Sequence, residues 1–143
     1  MIVRRAGAED LSTIMAIERG CFNEQRYSRE TVLFMLTDEA FATFLVEDRL
    51  PIGSASVHVE GEDALLVSIG VVAEHRCKGA AKVLMEAVER EARSRGAARI
   101  ALQVSILNVP AMNMYLHLGY RTEGILKGYY GQGKDAYYMV KAL

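Results

Sequence analysis

The chain has 143 residues, of which 51% are hydrophobic and 24% are charged. This length is close to the commonest size of a single domain, and the apolar fraction excludes a disordered or collagen-like chain. Seventeen Lys and Arg residues against 18 Asp and Glu residues give a net charge of −1, without the basic surplus that nucleic-acid binding requires. We therefore expect one globular domain, residues 1–143, that does not bind nucleic acid directly.

Membrane insertion, export and metal binding also find no support in the composition. The longest mainly apolar stretch without a charge, residues 64–73, is about half of the ~20 residues that a membrane span needs. Glu9 and Asp10 stand where an export signal would have its apolar centre. Cys21 and Cys77 are expected to be free thiols, and the three histidines lack zinc-site spacing. We expect a cytoplasmic protein with no metal and no membrane partner.

Apolar periodicity predicts seven strands and four helices. In the first helix the residues at helical spacing, with the apolar positions on one face, are Leu11, Ile14, Met15, Glu18 and Phe22. Ser28 is a suitable cap for the second helix, and Gly96 is a suitable stop for the third. The predicted strands cover residues 2–4, 41–46, 52–60, 64–72, 100–104, 120–126 and 136–143, and the predicted helices cover residues 9–21, the segment after Ser28, the segment from Ala80 to the Gly96 stop, and residues 110–117.

The order of these elements predicts the architecture. Three strands follow one another across turn-forming segments at residues 47–51 and 61–63, which is typical of an antiparallel meander. Further along the chain, strands and helices alternate. We therefore predict an α/β (α+β) fold with a mixed sheet and helices packed against it.

A strand, a short loop and a long helix follow one another in residues 68–89. The first N–H groups of a helix have no partners within the helix, so the start of such a helix is suited to bind phosphate. Gly79 lets a ligand approach the backbone, Ala80 and Ala81 keep bulky side chains away, and Arg76 adds a positive charge. The pattern predicts a phosphate site at this loop.

This segment resembles motif A of the GNAT acetyltransferase superfamily, in the order strand, Arg76-x-x-Gly79-x-Ala81, helix. The resemblance implies one GNAT domain with a central, mostly antiparallel seven-stranded sheet flanked by about four helices. It implies acetyl-CoA as co-substrate, with its pantetheine amides on the backbone of Val71 and Val72. The pyrophosphate would lie on Arg76, Cys77, Lys78, Gly79, Ala80 and Ala81.

A second segment, residues 102–120, is similar to the Asn-x-x-Ala-x-x-x-Tyr-x-x-x-Gly-Phe pattern of the same superfamily. Asn108, Ala111 and Tyr115 match it, and Tyr120 replaces the final Phe. The resemblance implies that Asn108 contacts the pantetheine arm. It also implies that Tyr115 lies beside the thioester sulfur, where its hydroxyl is the candidate acid for the departing thiolate.

Both ends of the chain resemble the ribosomal-protein alanine N-acetyltransferases and the archaeal N-terminal acetyltransferases. Residues 127–143 look like their C-terminal hairpin, and Tyr129 and Tyr130 match a tyrosine pair that faces the substrate peptide. Residues 15–32 look like the helix, loop and helix of the other wall of the peptide groove, to which Tyr27 belongs. The resemblance implies that Tyr27, Tyr129 and Tyr130 bind the substrate.

One catalytic position departs from the family pattern. Gln103 stands where the resembled enzymes have a glutamate or a histidine as general base, and an amide cannot accept the proton. A peptide α-amine, with a pKa of ~7.7–8.0, is partly neutral near pH 7.5, whereas a lysine, with a pKa of ~10.4, is almost wholly charged. Gln103 therefore favours an α-amine substrate. Glu24 is the candidate replacement base, because related archaeal enzymes have a loop glutamate in a similar place.

Together these residues predict an enzyme that transfers acetyl from acetyl-CoA to the N-terminal α-amine of a protein or peptide by direct attack in a ternary complex. Ribosomal proteins are the partners that the resemblance implies. Two alternatives stay open: an acetyl-CoA-binding module without turnover, and an acetyltransferase for small-molecule amines. The preferred N-terminal residue and the oligomeric state do not follow from the sequence.

Overall fold

Strands and helices follow one another in the predicted order. The computed structural model describes residues 1–21, 27–76 and 78–143. The described residues form β1 (Ile2–Arg5), α1 (Leu11–Cys21), α2 (Arg29–Thr37), β2 (Phe41–Asp48), β3 (Leu50–Glu60), β4 (Asp63–Val71), α3 (Ala80–Ser94), β5 (Arg99–Ser105), α4 (Val109–His117), β6 (Arg121–Leu126) and β7 (Ala136–Ala142), with 3-10 turns at Ala8–Asp10 and Ala73–His75. None of the described helices is long and apolar enough to cross a membrane.

The strands make one seven-stranded sheet in the order β1-β2-β3-β4-β5-β7-β6. All neighbouring pairs are antiparallel except β4 and β5, which run parallel. The sheet is mixed and mostly antiparallel, and with its helices it confirms the predicted α/β fold.

Helices cover both faces of the sheet. Leu45 and Val46 are neighbours in β2, so their side chains point to opposite faces. Val46 belongs to the larger core cluster, in which Leu84 and Val88 of α3 are fully buried. Leu45 belongs to a second cluster with Ile14 of α1 and residues of α2. The predicted helix stripes therefore pack on the sheet, α3 on one face and α1 with α2 on the other.

The sheet opens between its two parallel strands. The pairing of β4 with β5 is limited to Asp63 with Arg99, Ala64 with Ile100 and Leu65 with Ala101. Beyond these pairs β4 continues to Val71 and β5 continues to Ser105, each bonded only to its outer neighbour. A bulge in β4 follows directly, because Ser56 pairs with Ser68 and Val57 pairs with Leu66. The two strands thus separate at the middle of the sheet.

Two local expectations are corrected. Residues 47–51 were predicted to form a turn, but β2 and β3 extend through them and leave only Arg49 between the strands. Arg49 has a φ of 69°, the left-handed conformation that closes so tight a connection. The first turn of the predicted helix at residues 9–21 is instead the 3-10 turn Ala8–Asp10. Cross-strand hydrogen bonds extend β2 and β3 through residues 47–51, and these bonds cannot be predicted from composition alone.

A buried polar network joins α3 to the last two strands. The Tyr120 hydroxyl donates to Oε2 of Glu89 at 2.8 Å, and Lys141 Nζ donates to Oε1 of Glu89 at 2.7 Å. Arg93, one turn along α3, lies 3.7 Å from the same carboxylate. Tyr120 is 1% exposed, so its hydroxyl needs a partner, and Glu89 is that partner. The network explains why a tyrosine fits where the family pattern has a phenylalanine.

Candidate active site

A cleft of about 700 Å³ occupies the place where β4 and β5 separate. Its walls are the diverging strands, α1 on one side, and α4 with the loop between β6 and β7 on the other. The lining residues are Glu18, Cys21, Tyr27, Leu66, Val67, Ser68, Ile69, Gln103, Val104, Ser105, Leu107, Asn108, Ala111, Tyr115, Tyr129, Tyr130 and Lys134. The cleft therefore brings together residues that lie more than 100 positions apart in the sequence.

The three tyrosines predicted to bind substrate all line this cleft. The Tyr27 hydroxyl donates to the carbonyl of Val67 at 3.0 Å, on the β4 wall. The Tyr130 hydroxyl donates to the carbonyl of Gln103 at 3.3 Å, on the β5 wall. The rings of Tyr129 and Tyr130 meet edge to face, with their centroids 4.9 Å apart. The tyrosines thus bridge the opening from both strands, while their role in binding substrate stays a prediction.

The loop that carries Tyr129 and Tyr130 is held by its own backbone. The Tyr130 N–H donates to the carbonyl of Lys134 at 3.0 Å, and the Gly128 N–H donates to Oδ1 of Asp135 at 2.9 Å. The Asp135 carbonyl in turn accepts from the Ile106 N–H at 3.1 Å, next to the end of β5. These bonds fix the tyrosine pair against the cleft.

Tyr115 reaches the cleft from α4 and is 4% exposed. Its ring packs edge to face on Tyr120, with centroids 5.8 Å apart. Burial raises the pKa of the Tyr115 hydroxyl, and Tyr130 raises it further. Tyr115 is therefore a neutral phenol near neutral pH, which can donate a hydrogen bond but cannot take a proton from an amine. This state is compatible with the acid role predicted for it.

Asn108 and Ala111 stand at the start of α4. Asn108 is the N-cap, and its Oδ1 accepts from the Ala111 N–H at 3.3 Å. This bond uses the oxygen of the side-chain amide and leaves its NH₂ group to meet a ligand. Both residues line the cleft, so the predicted contact of Asn108 with the pantetheine arm is sterically accessible.

The predicted phosphate loop lies outside the cleft lining, at the N-terminus of α3. Gly79 caps that helix with a φ of 87°, and a Cβ built on it would meet only the Met1 side chain at 3.9 Å. Among the described residues, the Val83 N–H donates to the Gly79 carbonyl, and the N–H groups that precede it in the first turn have no intrahelical acceptor. Lys78 is exposed beside them, and Cys77 lies outside the described residues. The loop is compatible with the predicted phosphate site, which stays a prediction.

Arg76 links this loop to the cleft. Its Nε donates to the Val71 carbonyl at 2.9 Å, and its guanidinium contacts the Cys21 thiol. Val72 uses both backbone groups within the protein, since its N–H donates to Ile52 and its carbonyl accepts from His75. The pantetheine contacts predicted for Val71 and Val72 stay predictions; the Val72 N–H is already used, whereas its carbonyl has a second lone pair that could accept from a ligand.

Gln103 lines the cleft from β5, and its side-chain amide cannot act as a base. The replacement candidate Glu24 lies outside the described residues. A different carboxylate lines the cleft: Glu18 of α1, which is 2% exposed. Sequence reasoning did not select Glu18, although its place on the apolar stripe of the first helix was the available signal. A charged residue at a core-facing position is uncommon unless it has a partner or a function.

The two oxygens of the Glu18 carboxylate differ in their hydrogen bonding. Ser68 Oγ donates to Oε1 at 3.1 Å, while Oε2 is buried and has no hydrogen-bond partner among the described residues. Burial raises the pKa of this carboxyl, and hydrogen bonds from Ser68 and the Tyr27 backbone oppose the rise. Within the described ranges, no three acidic, histidine or cysteine side chains are grouped to hold a metal ion.

Comparison with known proteins defines the class. Residues 11–120 match the acetyltransferase (GNAT) family, and the chain belongs to that family. It is therefore an acetyltransferase of the class that uses acetyl-CoA, which agrees with the phosphate loop and the opened sheet.

Individual relatives give a finer picture. An N-alpha-acetyltransferase of Saccharolobus solfataricus is 40% identical over 79 residues, which are 54% of this chain and 47% of that protein, so the match spans about half of the relative. A candidate ribosomal protein bS18-alanine N-acetyltransferase of Bacillus subtilis is 26% identical over 140 residues, 96% of this chain and 92% of that protein. The crystal structure of the ribosomal-protein-S18-alanine N-acetyltransferase from Escherichia coli superposes with a TM-score of 0.88 at 23% identity, covering 99% of this chain and 92% of that one.

Proposed function

We propose that this protein transfers the acetyl group of acetyl-CoA to the N-terminal α-amine of a protein or peptide. The observation that carries the proposal is the single cleft that joins Tyr115 and Asn108, on the side predicted for the thioester, to the tyrosines predicted for the peptide. The names of the relatives make ribosomal-protein N-termini the first substrates to try, and the same proposal places the reaction in the cytosol.

Both substrates have a place at the same time. The pyrophosphate binds at the N-terminus of α3, and the pantetheine arm enters between the separated strands β4 and β5. The peptide approaches past Tyr27, Tyr129 and Tyr130. Simultaneous binding supports direct attack of the amine on the thioester carbonyl, because it holds the two reactants together without a protein-bound intermediate.

A covalent route through the cleft thiol has less support. Cys21 lines the cleft, but burial raises the pKa of its thiol, and the Arg76 contact only partly opposes this. A raised pKa lowers the fraction of thiolate, which is the nucleophilic form. In the proposed reaction the amine nitrogen forms the new bond to the carbonyl carbon and the carbon–sulfur bond breaks. The Tyr115 hydroxyl then donates a hydrogen bond to the departing sulfur.

Turnover on a panel of amines tests the proposal. The panel contains a peptide with the N-terminus of ribosomal protein S18, the same peptide blocked at its N-terminus but carrying a lysine, and a polyamine. We expect release of CoA thiol with the free peptide alone, and mass spectrometry should locate the acetyl group on the α-amine. Turnover of the polyamine only would favour a small-molecule enzyme. Binding of acetyl-CoA without thiol release from any amine would favour a module without activity, the alternative that Gln103 keeps open.

A further inference from the structure

The cleft contains a buried carboxylate whose second oxygen lacks a protein partner among the described residues. Glu18 is 2% exposed, its Oε1 accepts from Ser68, and its Oε2 is unpaired there. We propose that Glu18 binds the substrate's N-terminal ammonium group and accepts its proton. The inference rests on the proposed function, because it assigns the residue that receives the α-amine in that reaction.

The chemistry of the pocket selects a cationic ligand. A buried carboxylate oxygen without a hydrogen bond is costly, so natural proteins pair such a group or use it. Ser68 and the Tyr27 backbone give Glu18 neutral donors, and no ion pair joins it to a described cation. Two described cationic side chains lie in this region. Arg76 contacts the Cys21 thiol, and Lys134 lines the cleft from the loop between β6 and β7. An ammonium group entering the cleft supplies the missing charge and the missing donor.

The position of Glu18 also suits proton transfer. It faces the cleft from α1, with Tyr27 beside it and Ser68 opposite on β4, next to the strand opening. In the reaction the ammonium first gives one proton to Glu18, which passes it to solvent. The neutral nitrogen attacks the thioester carbon and the carbon–sulfur bond breaks. The second nitrogen proton then balances the departing thiolate as CoA thiol, and Tyr115 provides the hydrogen bond at that sulfur.

The pH dependence has a defined sign. Burial raises the pKa of Glu18 toward that of an α-amine, which improves a carboxylate as a base near neutrality. The titratable groups that face it are the Cys21 thiol on α1 and the Tyr27 hydroxyl, both of which stay neutral there because burial raises their pKa. The Arg76 guanidinium contacts the Cys21 thiol. Activity should therefore fall at low pH as Glu18 is protonated.

Ammonium binding is tested with Glu18→Gln, a variant that keeps the shape and removes the charge. Calorimetry on the CoA-bound enzyme compares a peptide with a free N-terminus against the same peptide already acetylated. We expect Glu18→Gln to weaken binding of the free peptide about 10-fold or more, the scale of a hydrogen bond between charged groups, and to leave the acetylated peptide unchanged. Glu30→Gln, at the exposed start of α2, is the matched control.

Proton acceptance is tested by kinetics. Glu18→Gln should lower kcat by ~10²-fold or more, and its remaining kcat/KM should follow the pKa of the substrate amine alone. Ser68→Ala removes the hydrogen bond that stabilises the Glu18 anion, so the acidic limb of the kcat/KM profile should move to higher pH. Glu24→Gln should leave that limb in place. A limb that disappears in Glu24→Gln and persists in Glu18→Gln would overturn the inference.

Thermal stability separates a functional role of Glu18 from a structural one, since a structural role predicts that Glu18→Gln lowers the melting temperature. Because its pKa is raised in the folded state, ionising Glu18 destabilises the fold above the ordinary glutamate value of about 4.3. Glu18→Gln should therefore melt at the same temperature as the wild type or higher, with the larger gain at pH 8 than at pH 4. If it does not fold, Glu18→Asp keeps the charge but retracts it, and should lower kcat while preserving the shape of the pH profile.

The outcomes separate this inference from the proposed function. If the wild type acetylates no peptide, the proposed function fails. If the wild type acetylates the free peptide and Glu18→Gln does so within threefold, with an unchanged pH profile and unchanged peptide affinity, the role of Glu18 is refuted and the function stands.

Discussion

Replacing Tyr120 with phenylalanine removes one hydroxyl from the buried network that joins α3 to β6 and β7. The lost bond is the 2.8 Å contact from Tyr120 to Glu89, whose side chain is 7% exposed. A hydrogen bond to a charged group is worth about 1.5–3 kcal/mol. Lys141 and Arg93 keep the carboxylate paired, so the loss should stay below the ~3–5 kcal/mol of a broken buried ion pair. At ~3 °C per kcal/mol for a chain of this size, Tm should fall by about 5–9 °C.

Urea denaturation at neutral pH measures this loss. Tyr138→Phe is the control, because Tyr138 is a half-buried residue of β7 with no side-chain hydrogen bond among the described residues. A cycle with Glu89→Gln isolates the coupling between the two side chains. Equal losses in Tyr120→Phe and Tyr138→Phe, or a coupling near zero, would show that the hydroxyl does not support the network.

The same variant has a pH signature. Burial, with the Glu89 charge, raises the pKa of the Tyr120 hydroxyl in the folded state. A group with a raised folded pKa stabilises the fold below its unfolded pKa and loses that contribution as the pH rises. The stability advantage of the wild type over Tyr120→Phe should therefore shrink above pH ~10, the ordinary tyrosine value.

Three further changes address the ligands. Arg76→Ala should weaken acetyl-CoA binding by ~1.5–3 kcal/mol, measured by calorimetry, because the phosphates lose a charged donor; unchanged affinity would refute its role. Tyr130→Phe should raise the peptide KM with little change in acetyl-CoA affinity, since only the hydroxyl is removed, and an equal loss for both ligands would mark Tyr130 as structural. Gln103→Glu should add a second base, on β5, and increase kcat at low pH, and a profile identical to the wild type would argue that the position is not used for proton transfer.

Elements whose signals are local could be predicted from the amino-acid sequence. The stripe of α3, the Ser28 cap of α2 and the Gly79 start of α3 each depend on residues within a few positions of one another, and the structure has all of them. The family also followed from two short spaced motifs, because each motif lies within one strand, loop and helix. The sequence also showed that Tyr120 replaces the Phe of the family pattern, but it did not show the hydrogen bond to Glu89 that explains the tyrosine.

The surroundings of the reacting groups depend on contacts between segments that are distant in the sequence. Glu89 lies 31 positions from Tyr120, and Ser68 lies 50 positions from Glu18, so no local pattern pairs them. The separation of β4 from β5 depends on how far their backbone pairing continues, and the composition of the two strands does not predict this length. Helical spacing put Glu18 on a buried face, but whether that face met a packed core or an open cleft depended on strands far along the chain. The burial and the hydrogen-bond partners that set the chemistry of Glu18 and Tyr120 therefore come from segments that only the folded chain brings together.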